Sequence, residues 1–519
     1  MIIKKAGTAA LATLVMGLAL SACASGENNA TPNQDSGSAT SEQNKKYTIR
    51  AMNILYGPAP PEDGSGKKAI EERYNIEFEY IPVTSSEYTN KIGVTLASGD
   101  IPDLVLFPNL DQKYFSAVES GQFVPIEAYL NDAEAYPNLA NIPAELKKIL
   151  TYNDHIYGVP RLRGVALHTV VLRKDWLDRL GIEAPKTLDE YYEVLRAFKD
   201  KDPDGNGKPD TFGPAVGTSD NGITFMNAVT SMFKGGPWNM GQWVDDGQGG
   251  IVPTEFSPTA KQAYAFLAKL YREGIIAPDF SIKKDQQVED DFLLGKAGHH
   301  AAAGYTYYSA SRFEKAVAAN PQFELLPIEP LVMPDGSQGY MKSPGFFGVF
   351  AISAEAAKDE GKLKRMLSML DDQISEEGGL FFKYGVEGEH HTTENGEKIL
   401  TELGSREGPG QYMLTNPPQE GDWILTAKDT PEIVKLKQAS YAAALLGEPY
   451  LNEAEGLFSP TNAELGAELN KIVADGTVSI VMGQQPVDYL DEIFEQWKRR
   501  GGDKILQEMN EAWKARNGG

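Results

Sequence analysis

From Tyr47 onward the chain alternates short apolar runs with stretches of helical periodicity, and this alternation limits the folds open to it. Tyr47 to Asn53 reads as a strand, Lys67 to Tyr74 as a helix, Ile76 to Val83 as a strand, Glu87 to Ala97 as a helix and Leu104 to Phe107 as a buried strand. Strand and helix at this spacing predict an α/β fold with parallel βαβ units. Ligands of such sheets sit beyond the strand C-termini, so Asn53 to Tyr56 and Phe107 to Asn109 form a predicted binding rim. With 519 residues the chain exceeds what one hydrophobic core supports, so two domains or lobes are expected.

Val171 to Gly213 is the most patterned stretch. Thr187 and Glu190 stand at capping-box spacing, and Tyr191, Val194, Leu195 and Phe198 follow as one apolar helical stripe. Directly after it, Asp202, Asp204 and Asn206 alternate as in the first half of a calcium loop, and Gly207 allows the sharp turn. Lys208 would offer its backbone carbonyl, and Asp210 falls at the ninth-position ligand. The twelfth position is Gly213, so the bidentate glutamate of a full EF-hand is missing. The expectation is a structural Ca2+ on Asp202, Asp204, Asn206, Lys208 and Asp210, against a solvated Asp/Gly/Pro turn.

Lys4 and Lys5 precede an apolar run from Ala9 to Leu20 that suits a signal-peptide core and is too short for an ordinary membrane span. The run ends in Leu20, Ser21, Ala22 and Cys23, which resembles a bacterial lipobox, and Cys23 is the only cysteine. Residues 1–22 are therefore expected to be a lipoprotein signal peptide, with Cys23 the lipid attachment point on the extracellular face of a bacterial cell membrane. Residues 23–46 are polar and read as a disordered tether, about 25 Å in reach. Lys+Arg 49 against Asp+Glu 73 gives a net charge of -24, which repels phosphate backbones and argues against nucleic acid as a partner.

The segments LASGDIPDLVLF from Leu96, GQFVPIEAYL from Gly121, HIYGVPRLRG from His155, YREGIIAPDF near Tyr271, GKAGHHAAAGYTYY from Gly295 and the run from Ile480 to Trp513 occur in an order that resembles the extracellular solute-binding proteins of ABC importers. The similarity is to the large lipoprotein branch that binds sugars and oligosaccharides. It implies a two-lobe periplasmic-binding-protein-like fold (type II), with mixed sheets flanked by helices and an interlobe cleft. Carried to this sequence, lobe one is expected over 47–165 and 345–415, and lobe two over 170–340 and 420–519. A strand-like run from Gly345 to Ala351 and a helical one from Glu355 to Asp371 suit a chain that returns to its first lobe. The implied role is a lipid-anchored subunit that captures a carbohydrate and delivers it to ABC permease subunits. The same fold serving as a ligand sensor for a membrane kinase, or an exported glycan-cleaving enzyme, are the competing readings.

Catalytic signatures are missing from the sequence: no HExxH, GxSxG, Walker loop or GxGxxG after a strand occurs. Sugar binding instead needs flat aromatic faces beside planar polar groups. Trp238 and Trp243 in a glycine-rich loop, Tyr305, Tyr307, Tyr308, Phe346 and Phe347 are the candidates, each against ordinary packing. The resemblance favours Tyr305, an aromatic that follows a glycine after an apolar strand. Asn53 lies on the predicted rim, and Arg161 with Arg163 follows Pro160 near the expected crossover, where a guanidinium could clamp a carboxylated sugar, bridge hydroxyls or form a surface ion pair. His299 and His300, like His390 and His391, are adjacent and would point to opposite faces of a strand, so neither pair is expected to share a metal. Trp176 and the C-terminal stripes, Tyr489 to Trp497 and Ile505 to Trp513 broken by Gly501 and Gly502, read as core.

Overall fold

The alternation at the start of the chain folds as β1 (Tyr47–Leu55), α1 (Ser65–Tyr74), β2 (Ile76–Thr84), α2 (Ser85–Ser98) and β3 (Leu104–Phe107). The computed structural model describes residues 45–518 apart from 57, 167–168, 220–221, 225–226, 238–239 and 303–306, so the leader, Cys23 and most of the tether lie outside the described residues. β1 pairs in parallel with β2 from Tyr47↔Ile76 to Leu55↔Thr84, and with β3 at Ala51↔Leu104. Every residue of β3 is buried, as a strand covered on both faces must be. α1 stops at Asn75, which takes a left-handed φ of 50° and returns its N–H to the last turn. α3 (Gln112–Glu119) opens on the Asp111 carboxylate, which accepts from the backbone N–H groups of Lys113 and Tyr114.

After β4 (Val159–Leu162) the chain enters β5 (Thr169–Arg173) of a second sheet. α4 (Leu188–Asp200) carries the predicted capping box: Thr187 Oγ1 accepts from Glu190 N–H, and the Glu190 carboxylate accepts from Thr187 N–H. Its stripe of Tyr191, Val194, Leu195 and Phe198 is buried. There follow β6 (Phe212–Pro214), the hairpin of β7 (Trp243–Asp245) and β8 (Ile251–Pro253), α5 (Ala260–Arg272), β9 (Ala297–Ala302) and β10 (Leu325–Pro327). The chain then returns to the first sheet as β11 (Phe346–Ile352) and α6 (Glu360–Ile374), and closes with α7 (Pro431–Ala444), α8 (Pro460–Val481), α9 (Tyr489–Trp497) and α10 (Asp503–Asn517).

The first sheet has the order β2-β1-β3-β11-β4, with β11 antiparallel to both neighbours, and the second the order β10-β5-β9-β6. Both are mixed sheets flanked by helices. One core gathers residues from Tyr47 to Leu162 and again from Phe346 to Leu414; another runs from Val170 to Met509, with a smaller cluster around Phe292, Tyr308 and Phe323. α6 begins at Glu360 rather than at Glu355, because Ala356–Lys358 forms a 3-10 turn and Asp359 caps the helix on Lys362 N–H. The glycines break the C-terminal helices as expected: Gly501 takes a non-helical φ of 123° in the kink between α9, which ends at Trp497, and α10, which starts at Asp503. Trp176 and Trp497 are core residues. Among the described residues no helix is long and apolar enough to cross a membrane.

Candidate functional site

Because β1, β3 and β4 run parallel and β11 antiparallel to them, the chain leaves Leu55, Phe107 and Leu162 and enters Phe346 along one edge of the first sheet. The same edge is where the chain crosses to the second core. The crossing segments run side by side: Arg163 N–H donates to Gly345 O at 2.8 Å, Ser343 N–H to Val165 O at 2.9 Å, and the Asn416 amide to Leu162 O at 2.8 Å.

A cavity of about 220 Å3 opens on this edge, lined by Tyr56, Arg161, Leu162, Arg163, Phe347, Asn416 and Gln419. Tyr56 and Phe347 meet edge to face with ring centroids 6.3 Å apart, and the Arg161 and Arg163 guanidinium carbons lie 6.0 and 5.9 Å from the Phe347 ring. Tyr56 keeps 67% of its surface exposed, unusual for an aromatic at the end of a core strand. Arg161 Nη1 is cut off from solvent, and among the described residues no atom accepts a hydrogen bond from it. Burial pulls the guanidinium pKa down, opposed by the Tyr80, Tyr56 and Tyr88 phenols.

A larger cavity, about 1110 Å3, lies between the loop after β3 and elements of the second core. Asn109, Gln112 and Lys113 form one wall; Ser219, Trp243, Asn462, Asn470 and Asp475 belong to the other. Its amides and hydroxyls share the lining with the carboxylates of Asp111, Glu455 and Asp475, the amines of Lys113 and Lys471, and apolar groups. A third cavity, about 370 Å3, lies wholly beside residues 379–428 and is lined largely by glycines and apolar groups, with Tyr384 and Trp423.

The structure distributes the predicted residues unevenly. Arg161 lines the small cavity and Trp243 the large one, although Trp243 is itself buried in the β7–β8 hairpin, where its N–H donates to Asn452. Phe346 turns into the first core opposite Leu162, and Phe347 faces the cavity instead. Asn53 is 2% exposed, and its amide is occupied by Tyr80 Oη, Met413 O and the N–H of Ile54, which suits holding the strand end rather than meeting a ligand. Tyr307 and Tyr308 are buried. Trp238 and Tyr305 lie outside the described residues. Asn416, Gln419 and the segment 452–458 carried no local signal; they reach the cavities only through the fold.

His299 and His300 point to opposite faces of β9, as adjacent strand residues must. His299 Nδ1 shares a hydrogen bond with Tyr191 Oη, and His300 lies between the rings of Phe292 and Tyr307 at 5.2 and 5.0 Å. Burial pushes both imidazoles down to about 3, helped for His299 by His300 and for His300 by Arg312. His390 bonds Ser65 Oγ and Val386 N–H, whereas His391 meets Lys398 and Tyr384 O.

In the acidic loop, Asn206 occupies the middle of the predicted ligand set. Its Nδ2 donates to Asp204 Oδ2 at 2.6 Å and Asp210 Oδ1 at 3.1 Å, while its N–H reaches Asp202 Oδ1 at 3.1 Å. Asp202, Gly205 and Gly207 take φ of 47°, 71° and 76° to wind the loop this tightly. Burial raises the Asp204 pKa, and Asp202 and Asp210 add to it; for Asp202 burial is outweighed by hydrogen bonds from Asp204 and three backbone N–H groups, so its pKa falls. Lys208 contributes an N–H to Asn206 Oδ1 at 2.7 Å. Gly213, at the twelfth position, is drawn away by its own N–H bond to Ile275 O at 3.0 Å, and Thr211 is buried against Phe198 O. Among the described residues no group of three or more His, Cys, Asp or Glu side chains is arranged to hold a metal. The oxygen donors thus converge in kind and order, but an amide nitrogen stands where a calcium loop turns in an oxygen.

Comparison with known proteins gives a consistent picture. The family model for bacterial extracellular solute-binding proteins matches residues 67–362. Lipoprotein LipO of Bacillus subtilis is 29% identical over 496 residues, covering 92% of this chain and 94% of LipO. The polygalacturonan/rhamnogalacturonan-binding protein YtcQ of the same organism is 29% identical over 500 residues, covering 93% and 94%. Among solved structures, an HMO-binding, ABC-transporter-associated solute-binding protein from Bifidobacterium longum infantis superposes with a TM-score of 0.70 at 20% identity, covering 90% of this chain and 99% of that one.

Proposed function

The chain belongs to the bacterial extracellular solute-binding protein family, and we propose that it is the ligand-capturing subunit of an ABC importer for an oligosaccharide. The observation that carries this reading is the 1110 Å3 cavity whose walls come from both cores. Its volume slightly exceeds the roughly 300–1,000 Å3 of small-molecule sites, as a chain of several sugars requires. Its amides and hydroxyls suit neutral hydroxyl groups, and the aromatic pair Tyr56 and Phe347 on the neighbouring strand ends offers the apolar faces that pyranose rings seek. YtcQ and the Bifidobacterium protein, both similar along most of their length, are named for glycan ligands.

In this reading residues 47–165 and 345–415 form one lobe, residues 170–340 and 420–519 the other, and the bundled crossings between them are the hinge. Closure over ligand produces the shape that permease subunits recognise, so no bond in the sugar need break. Cys23 at the lipobox supplies the anchor, in keeping with the lipoprotein LipO. Asp202, Asp204, Asn206, Asp210 and the Lys208 carbonyl would hold a Ca2+ that stiffens the second lobe, once the Asn206 amide turns its oxygen inward.

Calorimetric titration of the mature chain with neutral and acidic oligosaccharides tests the proposal. Saturable binding with recovery of the intact sugar is the expected result. Shorter products after prolonged incubation would overturn the non-enzymatic reading, and absence of binding across the panel would overturn the sugar reading.

A further inference from the structure

The small cavity on the rim of the first sheet is chemically unlike the rest of this protein. The chain carries a net charge of -24, yet two arginines line this cavity and, among the described residues, no aspartate or glutamate does. Arg161 is the anomaly. A guanidinium removed from water is costly unless a carboxylate or phosphate accepts its hydrogens. Among the described residues Arg173 also leaves its Nη1 without an acceptor, but its Nε and Nη2 are paired with the Asp175 carboxylate, and Arg73 is paired with Asp372 at 2.8 Å. Arg161 Nη1 is sealed from solvent with no acceptor among the described residues. The groups that raise its pKa are three tyrosines, and no carboxylate stands among them.

The surroundings specify what would complete it. Phe347 lies beneath both guanidinium groups, and Tyr56 closes the ring edge, so a ligand here meets a cation and an aromatic face together. At about 220 Å3 the cavity is smaller than a typical small-molecule site and suits one unit of a longer chain. Asn416 turns its amide NH2 toward Leu162 O and Pro417 O, which fixes its orientation beside the arginines.

We propose that the cavity formed by Tyr56, Arg161, Arg163 and Phe347 binds the carboxylate of a uronic sugar unit, making this an importer subunit for acidic rather than neutral oligosaccharides. The inference rests on the oligosaccharide reading above and narrows it. A planar carboxylate matches the guanidinium fork of Arg161 with two parallel hydrogen bonds, whereas a hydroxyl satisfies one at a time. The pyranose ring that bears it stacks on Phe347.

The test compares tetragalacturonate and tetramannuronate with their methyl esters and with kestose, a neutral oligosaccharide, by calorimetry on the mature chain. The wild type is expected to prefer a free acid over its ester by about 10- to 100-fold, the range for a hydrogen bond to a charged group. Arg161→Gln should bring that ratio close to one. A pH titration of the wild type gives an independent reading should the variant not fold: affinity for the acid falls as its carboxylate protonates, and affinity for the ester does not. Equal affinity for acid and ester, preference for kestose, or an acid-to-ester ratio untouched by Arg161→Gln in a folded variant overturns the inference and leaves the oligosaccharide reading standing. Failure to bind any of the five overturns both.

Discussion

Arg73 and Asp372 stand 299 residues apart and form a two-pronged ion pair, with Nε to Oδ2 and Nη2 to Oδ1 both at 2.8 Å. Tyr74 adds its hydroxyl to Asp372 Oδ2 at 2.6 Å. The pair ties α1, from the opening βαβ unit, to α6, from the segment in which the chain returns to the first sheet. Burial pushes the Asp372 carboxyl up, but Arg73 and Tyr74 outweigh it and hold the pKa below the usual carboxylate value. A depressed folded pKa means that its stabilisation is present above the unfolded-state value near 4 and is lost as pH falls through the folded one. Asp372→Asn should cost about 1–2 kcal/mol at pH 7, toward the lower end for a partly exposed charged hydrogen bond. Urea melts should show that deficit shrinking below about pH 4, where the wild type loses the charge too.

The buried histidines act in a different window. His299 and His300 are pushed to about 3 by burial, so the folded state refuses protons that the unfolded chain accepts below its value near 6.5. Stability is therefore full above that value and falls as pH drops from about 6.5 toward 3. Each histidine contributes up to about 1.4 kcal/mol per pH unit to that slope. His300→Phe, which keeps a ring between Phe292 and Tyr307, should remove one proton's worth of it. Chemical unfolding at pH 7, 6, 5 and 4 measures the difference; an unchanged slope would show that His300 is protonated in the folded protein.

If the acidic loop binds Ca2+, removing the ion with a chelator should lower the melting temperature, because a ligand bound only to the folded state stabilises it by mass action. Asp204→Ala should abolish that sensitivity. A melt of the wild type that is the same with chelator and with added Ca2+ refutes the site.

Phe347 presents its ring to the rim cavity, whereas Phe346 belongs to the core. Phe347→Ala should weaken oligosaccharide binding by about 1 kcal/mol, the scale of one aromatic stacking contact, with little change in stability. Phe346→Ala should instead destabilise the fold by about 3–5 kcal/mol. Calorimetry and thermal melts on the two variants separate the roles; equal effects on binding would remove Phe347 from the site.

The fold was largely legible before any coordinates because its signals are local. Short apolar runs mark β1, β2 and β3; Thr187 and Glu190 define the start of α4; and the stripe from Tyr191 to Phe198 fixes the buried face of that helix. Boundaries failed where a short-range competitor was missed. Asp359, a better cap than Glu355, delays α6.

The choice between Phe346 and Phe347 shows why the site was harder to read. Alternation alone cannot say which of two neighbours faces the core, because a single bulge reverses the parity of a strand. β11 carries such an irregularity between Phe346 and Val349, where Gly348 takes φ 69° and passes so close to Phe107 O that a Cβ there would lie 2.1 Å from it. That close approach depends on β3 being the neighbour of β11, which is a property of the sheet order and of no local segment. What the sequence by itself determined was therefore the main strands and helices and the buried face of α4, since propensity, capping and periodicity act over a few residues. Only the tertiary structure decided that Tyr56, Arg161, Phe347 and Asn416 share one cavity, because those contacts are made by chain segments far apart in the sequence.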